Sequence, residues 1–132
     1  MNVGDKVEVK YKIQSSDLAK ALSADPQDDF PEVYATSRMV ALMELAAARL
    51  MKPLLSDGKL SVGVNVNVNH IAATSNNVEV SAVATYLGME SKLHKFSVAL
   101  YDTAGEAGNG THTRAIVKTE RLVQGAINRV LT

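Results

Sequence analysis

The stretch SVGVNVNVNHIAAT, residues 61–74, alternates between valine and small or polar residues over most of its length. Valine occupies each even position from 62 to 68, and His70 takes the next even position. Successive side chains of a strand point to opposite faces, so the pattern predicts a strand with one valine face. His70 would lie on that apolar face and cover a neighbouring helix. A buried structural ring is the commoner reason for such a histidine, and an acid/base group is the alternative.

The composition is that of a globular protein, with 132 residues of which 46% are hydrophobic. We expect one domain spanning residues 1–132, with a short C-terminal tail at 122–132. Lys and Arg together number 14, as do Asp and Glu, and this balance disfavours nucleic acid as a partner. No apolar run approaches the roughly 18 residues that span a bilayer, and the first residues are charged, so we expect a cytoplasmic protein without membrane contact. The absence of cysteine excludes disulfides, thiol nucleophiles and thiolate metal ligands.

Hydrophobic periodicity predicts one long helix and a set of strands, which is an α+β fold. The helix runs from Ser37 to Leu55, a stretch rich in helix-forming residues that Pro53 and Gly58 close off. Short polar turns join the later strands, which favours antiparallel neighbours. The predicted strands are 3–13, 61–71, 77–88, 92–102 and 111–122, with a glycine-rich hairpin turn at 103–110 and short helices at 15–22 and 124–132.

Glu44 lies on the long helix beside, but outside, its apolar stripe. No lysine or arginine stands three or four residues further along the helix to pair with it. A half-buried carboxylate without a partner costs free energy, so it either reaches water or a distant partner, or has a chemical role. Glu44 and His70 would converge on one apolar seam, as acid/base groups of an active site often do.

Thr36 is the third candidate, placed just before the helix in the sequence ATSRMV. A threonine there is typical of an N-cap, and its hydroxyl would lie at the positive end of the helix dipole. Eight residues of helix would place Thr36 roughly 12 Å from Glu44, too far for one small site within one chain. A two-fold dimer that brings Thr36 of one chain to Glu44 and His70 of the other would solve this, as would an elongated substrate.

The three histidines have no spacing typical of a metal site, and we expect no metal ion.

Three segments together resemble the fluoroacetyl-CoA thioesterase-like branch of the hotdog-fold acyl-CoA thioesterases. They are FPEVYATSRMVALMELA, SVGVNVNVNHIAAT and YDTAGEAGNGTHTRAIV, and the similarity extends over about residues 10–121. The resemblance implies a long central helix wrapped by a curled antiparallel sheet. It also implies a homodimer with active sites at the subunit interface. The substrate would be an acyl-CoA, and no cofactor is implied because CoA enters as part of that substrate.

The resemblance also implies roles for individual residues. Catalytic roles fall on a threonine before the helix, a glutamate two turns into it and a histidine that closes the strand, here Thr36, Glu44 and His70. Substrate-binding roles fall on Phe30 in a lid over the acyl group and on Gly63 and Arg114 near the thioester. The fluoroacetyl-specific enzyme has a second aromatic residue in its lid where this chain has Gln27, so the resemblance extends to thioester hydrolysis rather than to fluoroacetyl specificity.

We therefore expect hydrolysis of a small acyl-CoA. Glu44 would attack the thioester carbonyl or activate water, His70 would transfer protons, and Thr36 would position or polarise the reacting group. Two alternatives stay open, since a fold does not fix its chemistry: a hydratase or dehydratase of acyl thioesters, and a dimer that binds acyl-CoA without turnover.

Overall fold

The structure, a computed structural model, describes residues 1–131 and has the expected α+β architecture. Five strands and two helices form its regular elements, with short 3₁₀ turns between them. In chain order these are β1 (Lys6–Lys12), α1 (Thr36–Met51), β2 (Lys59–His70), β3 (Glu79–Glu90), β4 (Leu93–Asp102), β5 (Gly105–Lys118) and α2 (Thr119–Val130). No helix within this described part of the chain has both the length and the apolar character needed to cross a bilayer.

The five strands form one antiparallel sheet in the order β1-β3-β4-β5-β2. Helix α1 packs across this sheet and contacts β1, β2, β3 and β4. In this strand order β2 lies at one edge of the sheet and is hydrogen-bonded on one side only, to β5. Both Glu44 on α1 and His70 at the end of β2 are placed between the helix and this edge.

Helix α1 buries the stripe that the helical period predicts. Its buried residues are Met39, Leu42, Met43, Ala46, Ala47, Leu50 and Met51. The helix begins one residue before the predicted start and ends at Met51, four residues early. A 3₁₀ turn at Lys52–Leu54 follows because Pro53 lacks the N–H that would continue the α-helical pattern.

The prediction of a glycine-rich hairpin turn at 103–110 is wrong. The turn is confined to Thr103 and Ala104, and β5 already begins at Gly105. The later glycines belong to the strand because neighbouring groups approach its backbone closely. A Cβ atom at Gly108 would lie 2.5 Å from Sδ of Met39 on α1.

Two of the predicted helices also differ from the structure. Residues 15–22 form two 3₁₀ turns, Ser15–Asp17 and Ala19–Leu22, in place of one short helix. The C-terminal helix begins at Thr119, well before the predicted start, so the last strand ends at Lys118. None of the residues of α2 is buried.

A β-bulge in β2 divides the valine stretch between two faces. Gly63 pairs with Arg114 and Asn65 pairs with Thr113, which leaves Val64 as the extra residue. Before the bulge the odd positions face the helix, and after it the even positions do. The prediction of a single valine face is therefore wrong, although His70 does lie on the helix-facing side. The bulge puts Gly63 on that side as well.

Candidate active site

Thr36 and His70 form a direct pair within one chain. The hydroxyl oxygen of Thr36 lies 2.8 Å from Nδ1 of His70. Thr36 is the first residue of α1 and His70 is the last residue of β2, so the contact joins the start of the helix to the end of the edge strand. The structure thus brings together two of the three predicted catalytic residues.

Thr36 is not the N-cap of α1, contrary to the prediction. Ala35 occupies the N-cap position with extended backbone angles, and no side chain caps the first turn. The preceding loop is fixed by backbone bonds: the Tyr34 amide donates to the Thr74 carbonyl and the Ala35 amide to the Asp17 carbonyl. These bonds hold the Thr36 hydroxyl at the imidazole of His70.

His70 keeps one ring nitrogen without a partner. Nε2 is buried and makes no hydrogen bond within residues 1–131. An unsatisfied buried nitrogen costs free energy, and such atoms in native proteins call for a functional explanation. Burial also lowers the pKa of His70, which favours the neutral imidazole near pH 7. A neutral ring with a free nitrogen can exchange a proton with a bound substrate or water.

A cavity of about 360 Å³ opens beside this pair and fits a small acyl group by size. Its lining residues are Ala19, Pro31, Val33, Tyr34, Thr36, His70, Ile71, Ala72 and Ala73. Phe30, predicted to cover the acyl group, is not one of them and is 49% exposed. Its neighbour Pro31 does line the cavity, so the loop that carries Phe30 lies at its rim.

Glu44 has a charged partner from a distant part of the chain. Its Oε2 accepts a hydrogen bond from Nη1 of Arg114 on β5 at 3.0 Å. Gly63 makes room for this carboxylate, because a Cβ atom at that position would collide with Oε2. The side chain of Glu44 is 39% exposed, and its Oε1 has no protein partner in the described chain. One carboxylate oxygen is therefore fixed and the other is open to a ligand.

Arg114 is buried and its hydrogen bonds are nearly all used within the protein. Nε donates to Oγ of Ser61 and Nη2 to the Ser61 carbonyl, each at 3.0 Å. Nη1 lies 3.1 Å from Nε2 of His112, which is 1% exposed. Together with the bond to Glu44, these contacts use four of the five N–H groups of an arginine. Arg114 thus orients Glu44, and few of its donors are left for a substrate.

His112 is held as one neutral tautomer. Its Nδ1 lies 2.7 Å from the carbonyl oxygen of Asn65, to which it donates, so Nε2 is left to accept from Arg114. Burial lowers the pKa of His112, and the charge of Arg114 acts in the same direction. Sequence reasoning gave neither His112 nor Ser61 a role. His112 and Arg114 stand two residues apart, so they lie on one face of the strand, and this spacing could have indicated a role for His112.

The predicted residues thus form two groups in one chain. The first group is the pair of Thr36 and His70 at the start of α1. The second group is centred on Glu44, two turns further along α1, which contacts Gly63 on β2 and Arg114 on β5. The arrangement in which Thr36 of one chain meets His70 of another is wrong, because these two are bonded within one chain. No group of three or more metal-ligating side chains occurs within residues 1–131.

Comparison with known proteins identifies the family. The sequence profile of the fluoroacetyl-CoA-specific thioesterase family matches residues 13–120. The chain belongs to this family. A fluoroacetyl-CoA thioesterase from Streptantibioticus cattleyicolor is 33% identical over 123 residues, covering 92% of this chain and 88% of that protein.

Solved structures agree with this family membership. A mutant of the fluoroacetyl-CoA-specific thioesterase FlK, in complex with fluoroacetate and CoA, has a TM-score of 0.87 and 33% identity. The match covers 92% of this chain and 99% of that one. A hot-dog-like protein from Thermanaerovibrio acidaminovorans, at 23% identity and a TM-score of 0.84 over 98% and 93% of the chains, shares the fold alone. The predicted hotdog fold is confirmed.

Proposed function

We propose that this protein hydrolyses a small acyl-CoA to the free acid and CoA. The family to which it belongs and its 33% identical relative both carry the name of a fluoroacetyl-CoA thioesterase. The observation that carries the proposal is the geometry around α1. The imidazole of His70, with one unpartnered nitrogen, lies at the start of α1 beside a cavity of about 360 Å³. The carboxylate of Glu44, with one open oxygen, lies two turns further along the same helix.

In the proposed mechanism Glu44 supplies the attacking oxygen, directly or by taking a proton from water. Neutral His70 takes up the proton that water gives up when it attacks, either from the water itself or from Glu44, and passes this proton to the CoA thiolate. The Thr36 hydroxyl fixes the ring through Nδ1. Arg114 orients the Glu44 carboxylate through its hydrogen bond to Oε2. The reaction needs no cofactor beyond the CoA of its substrate. Recovery of an acyl group on Glu44 after rapid quenching would distinguish direct attack from activation of water.

The active site we propose is shared between two copies of the chain. β2 is a long edge strand, and its Leu60 and Val64 are exposed apolar residues, features that proteins seldom leave uncovered. If β2 pairs antiparallel with its copy, the end of one strand lies beside the start of the other. His70 of one chain would then lie close to Gly63 of the second chain, and so to the Glu44 that Gly63 contacts. A homodimer would in this way join the two residue groups that one chain keeps apart. We propose that this dimer acts in the cytoplasm.

The proposed activity is tested by release of free thiol from a panel of acyl-CoA substrates, acetyl to decanoyl with fluoroacetyl and phenylacetyl. We expect turnover of one class of short acyl groups, because the substrate that names the family, fluoroacetyl-CoA, carries a very short acyl group. The same samples, assayed with an enoyl-CoA, report any addition of water to its double bond. Hydration without thiol release would replace hydrolysis by a hydratase function, and binding without either reaction would leave only a binding protein.

The rate should depend on pH through His70. Because burial lowers the pKa of this ring, the neutral form persists to lower pH than for a free imidazole. We expect kcat/KM to be constant at neutral pH and to fall only below the ordinary imidazole value of about 6.5. The profile is measured for wild type and for His112→Asn. An acid limb above pH 6.5, or one that disappears in His112→Asn, would contradict the assignment to His70.

A further inference from the structure

A groove of about 830 Å³ lies between the start of β2, the end of β5 and helix α2, outside the site described above. Three cationic side chains line it: Lys59 on β2, Lys118 at the end of β5 and Arg121 in the first turn of α2. Asp57 and Glu120 also line the groove, so cations exceed anions by three to two. Its lining therefore carries a net positive charge, which is suited to an anionic ligand.

The three cations have no ionic partner within residues 1–131. None of them takes part in the salt bridges or side-chain hydrogen bonds of that part of the chain. Lys59 and Lys118 are moreover direct partners across the β2–β5 pair, so their side chains project from the same face of the sheet. Like charges in this arrangement destabilise a sheet. An anion bound between them would remove the repulsion.

The groove is also in line with the candidate active site. Lys59 and Lys118 continue the same sheet face that carries the Gly63 and Arg114 pair. Four residues of strand separate Arg114 from Lys118, which corresponds to roughly 13 Å. An extended ligand lying along this face would therefore have one end beside Glu44 and the other in the groove.

We propose that the groove of Lys59, Lys118 and Arg121 binds the phosphate groups of CoA while the thioester lies beside Glu44. CoA matches this layout because its sulfur and its phosphates stand at opposite ends of a long flexible arm. Lysine and arginine are the side chains that bind phosphate oxygens with charge-assisted hydrogen bonds. The inference rests on the proposed thioesterase function and adds the subsite that would select CoA over shorter thiols.

The test compares two thioesters of the same acyl group, one on CoA and one on pantetheine, which lacks the nucleotide and its phosphates. In Lys59→Gln/Lys118→Gln we expect KM for acyl-CoA to rise about tenfold or more, with kcat nearly unchanged. The KM for acyl-pantetheine should stay at the wild-type value. The matched control is Lys10→Gln/Lys12→Gln, which removes the same charge from β1 at the far edge of the sheet.

An equal effect of both double variants on acyl-CoA, or an equal rise for both thioesters, would overturn the groove assignment while leaving hydrolysis intact. If the wild type cleaves neither thioester, the proposed function fails separately. The groove is then tested by calorimetry with CoA and with pantetheine as ligands. Weaker binding of CoA alone in Lys59→Gln/Lys118→Gln supports the subsite, and unchanged binding of CoA refutes it.

Discussion

Glu44→Gln is expected to lower kcat about a thousandfold, within the range lost with a catalytic acid, base or nucleophile. Glutamine has nearly the same shape, and its amide oxygen can still accept the hydrogen bond from Arg114. It cannot act as a base, and it is a far weaker nucleophile than a carboxylate. The fold should therefore survive while turnover is lost. The measurement is kcat for thiol release, with the melting temperature recorded in parallel.

A mixing experiment shows whether the loss occurs in a shared site. His70→Ala is the matched partner variant, and it too should be nearly inactive on its own. If Glu44 of one chain works with His70 of the other, a mixed dimer has one intact site, and random mixing should restore about a quarter of wild-type activity. No recovery after verified subunit exchange would show that both residues act within one chain. A kcat near the wild-type value in Glu44→Gln alone would show that Glu44 has no part in the mechanism.

Arg114→Met is expected to lower stability more than any other single change near the site. The substitution removes four hydrogen bonds and leaves Glu44 without its cation and His112 without its donor. Breaking a buried ion pair costs about 3 to 5 kcal/mol, and the partial exposure of Glu44 favours the lower end. For a chain of this length about 3 kcal/mol corresponds to a melting temperature lower by about 10 °C. Thermal unfolding followed by circular dichroism measures it.

Two companion variants separate charge from geometry at this position. Arg114→Lys keeps the charge but not the planar fork that reaches Ser61 and Glu44 together, so we expect intermediate stability. Combining Arg114→Met with Glu44→Gln removes the uncompensated carboxylate and should recover part of the loss. An unchanged melting temperature in Arg114→Met would show that the network contributes little. A combined variant no more stable than Arg114→Met alone would show that the loss comes from packing.

Much of this fold follows from periodicity, but its turns do not. The apolar arc of α1 and the alternating strands are local patterns, and each is found close to its predicted position. The segment at 103–110 reads as a turn because glycine is typical of turns. In the molecule it is strand because Met39 of α1 approaches Gly108 too closely for a side chain. Such an approach is a property of tertiary packing, which a local pattern does not contain.

The candidate site was likewise only partly predictable. His70 and Glu44 stand out because each conflicts with its apolar surroundings, and that conflict is visible in the sequence. The partner of Glu44 is not visible, because Arg114 stands 70 residues further along the chain and reaches it only through the sheet. The rule for caps predicts an N-cap at Thr36 because it considers the helix alone. Its hydroxyl is instead engaged by His70 from another element.

The bulge at Val64 has a consequence for how this protein can change over evolutionary time. His70 follows Gly63 by seven positions, an odd number, and both face the helix only because one residue between them is extra. Deletion or insertion of a single residue in this interval would turn either the glycine or the histidine to the opposite surface. Only insertions or deletions of an even number of residues between Gly63 and His70 would keep both residues on the helix-facing side. The number of residues between them is therefore as much a requirement of the site as the two residues themselves.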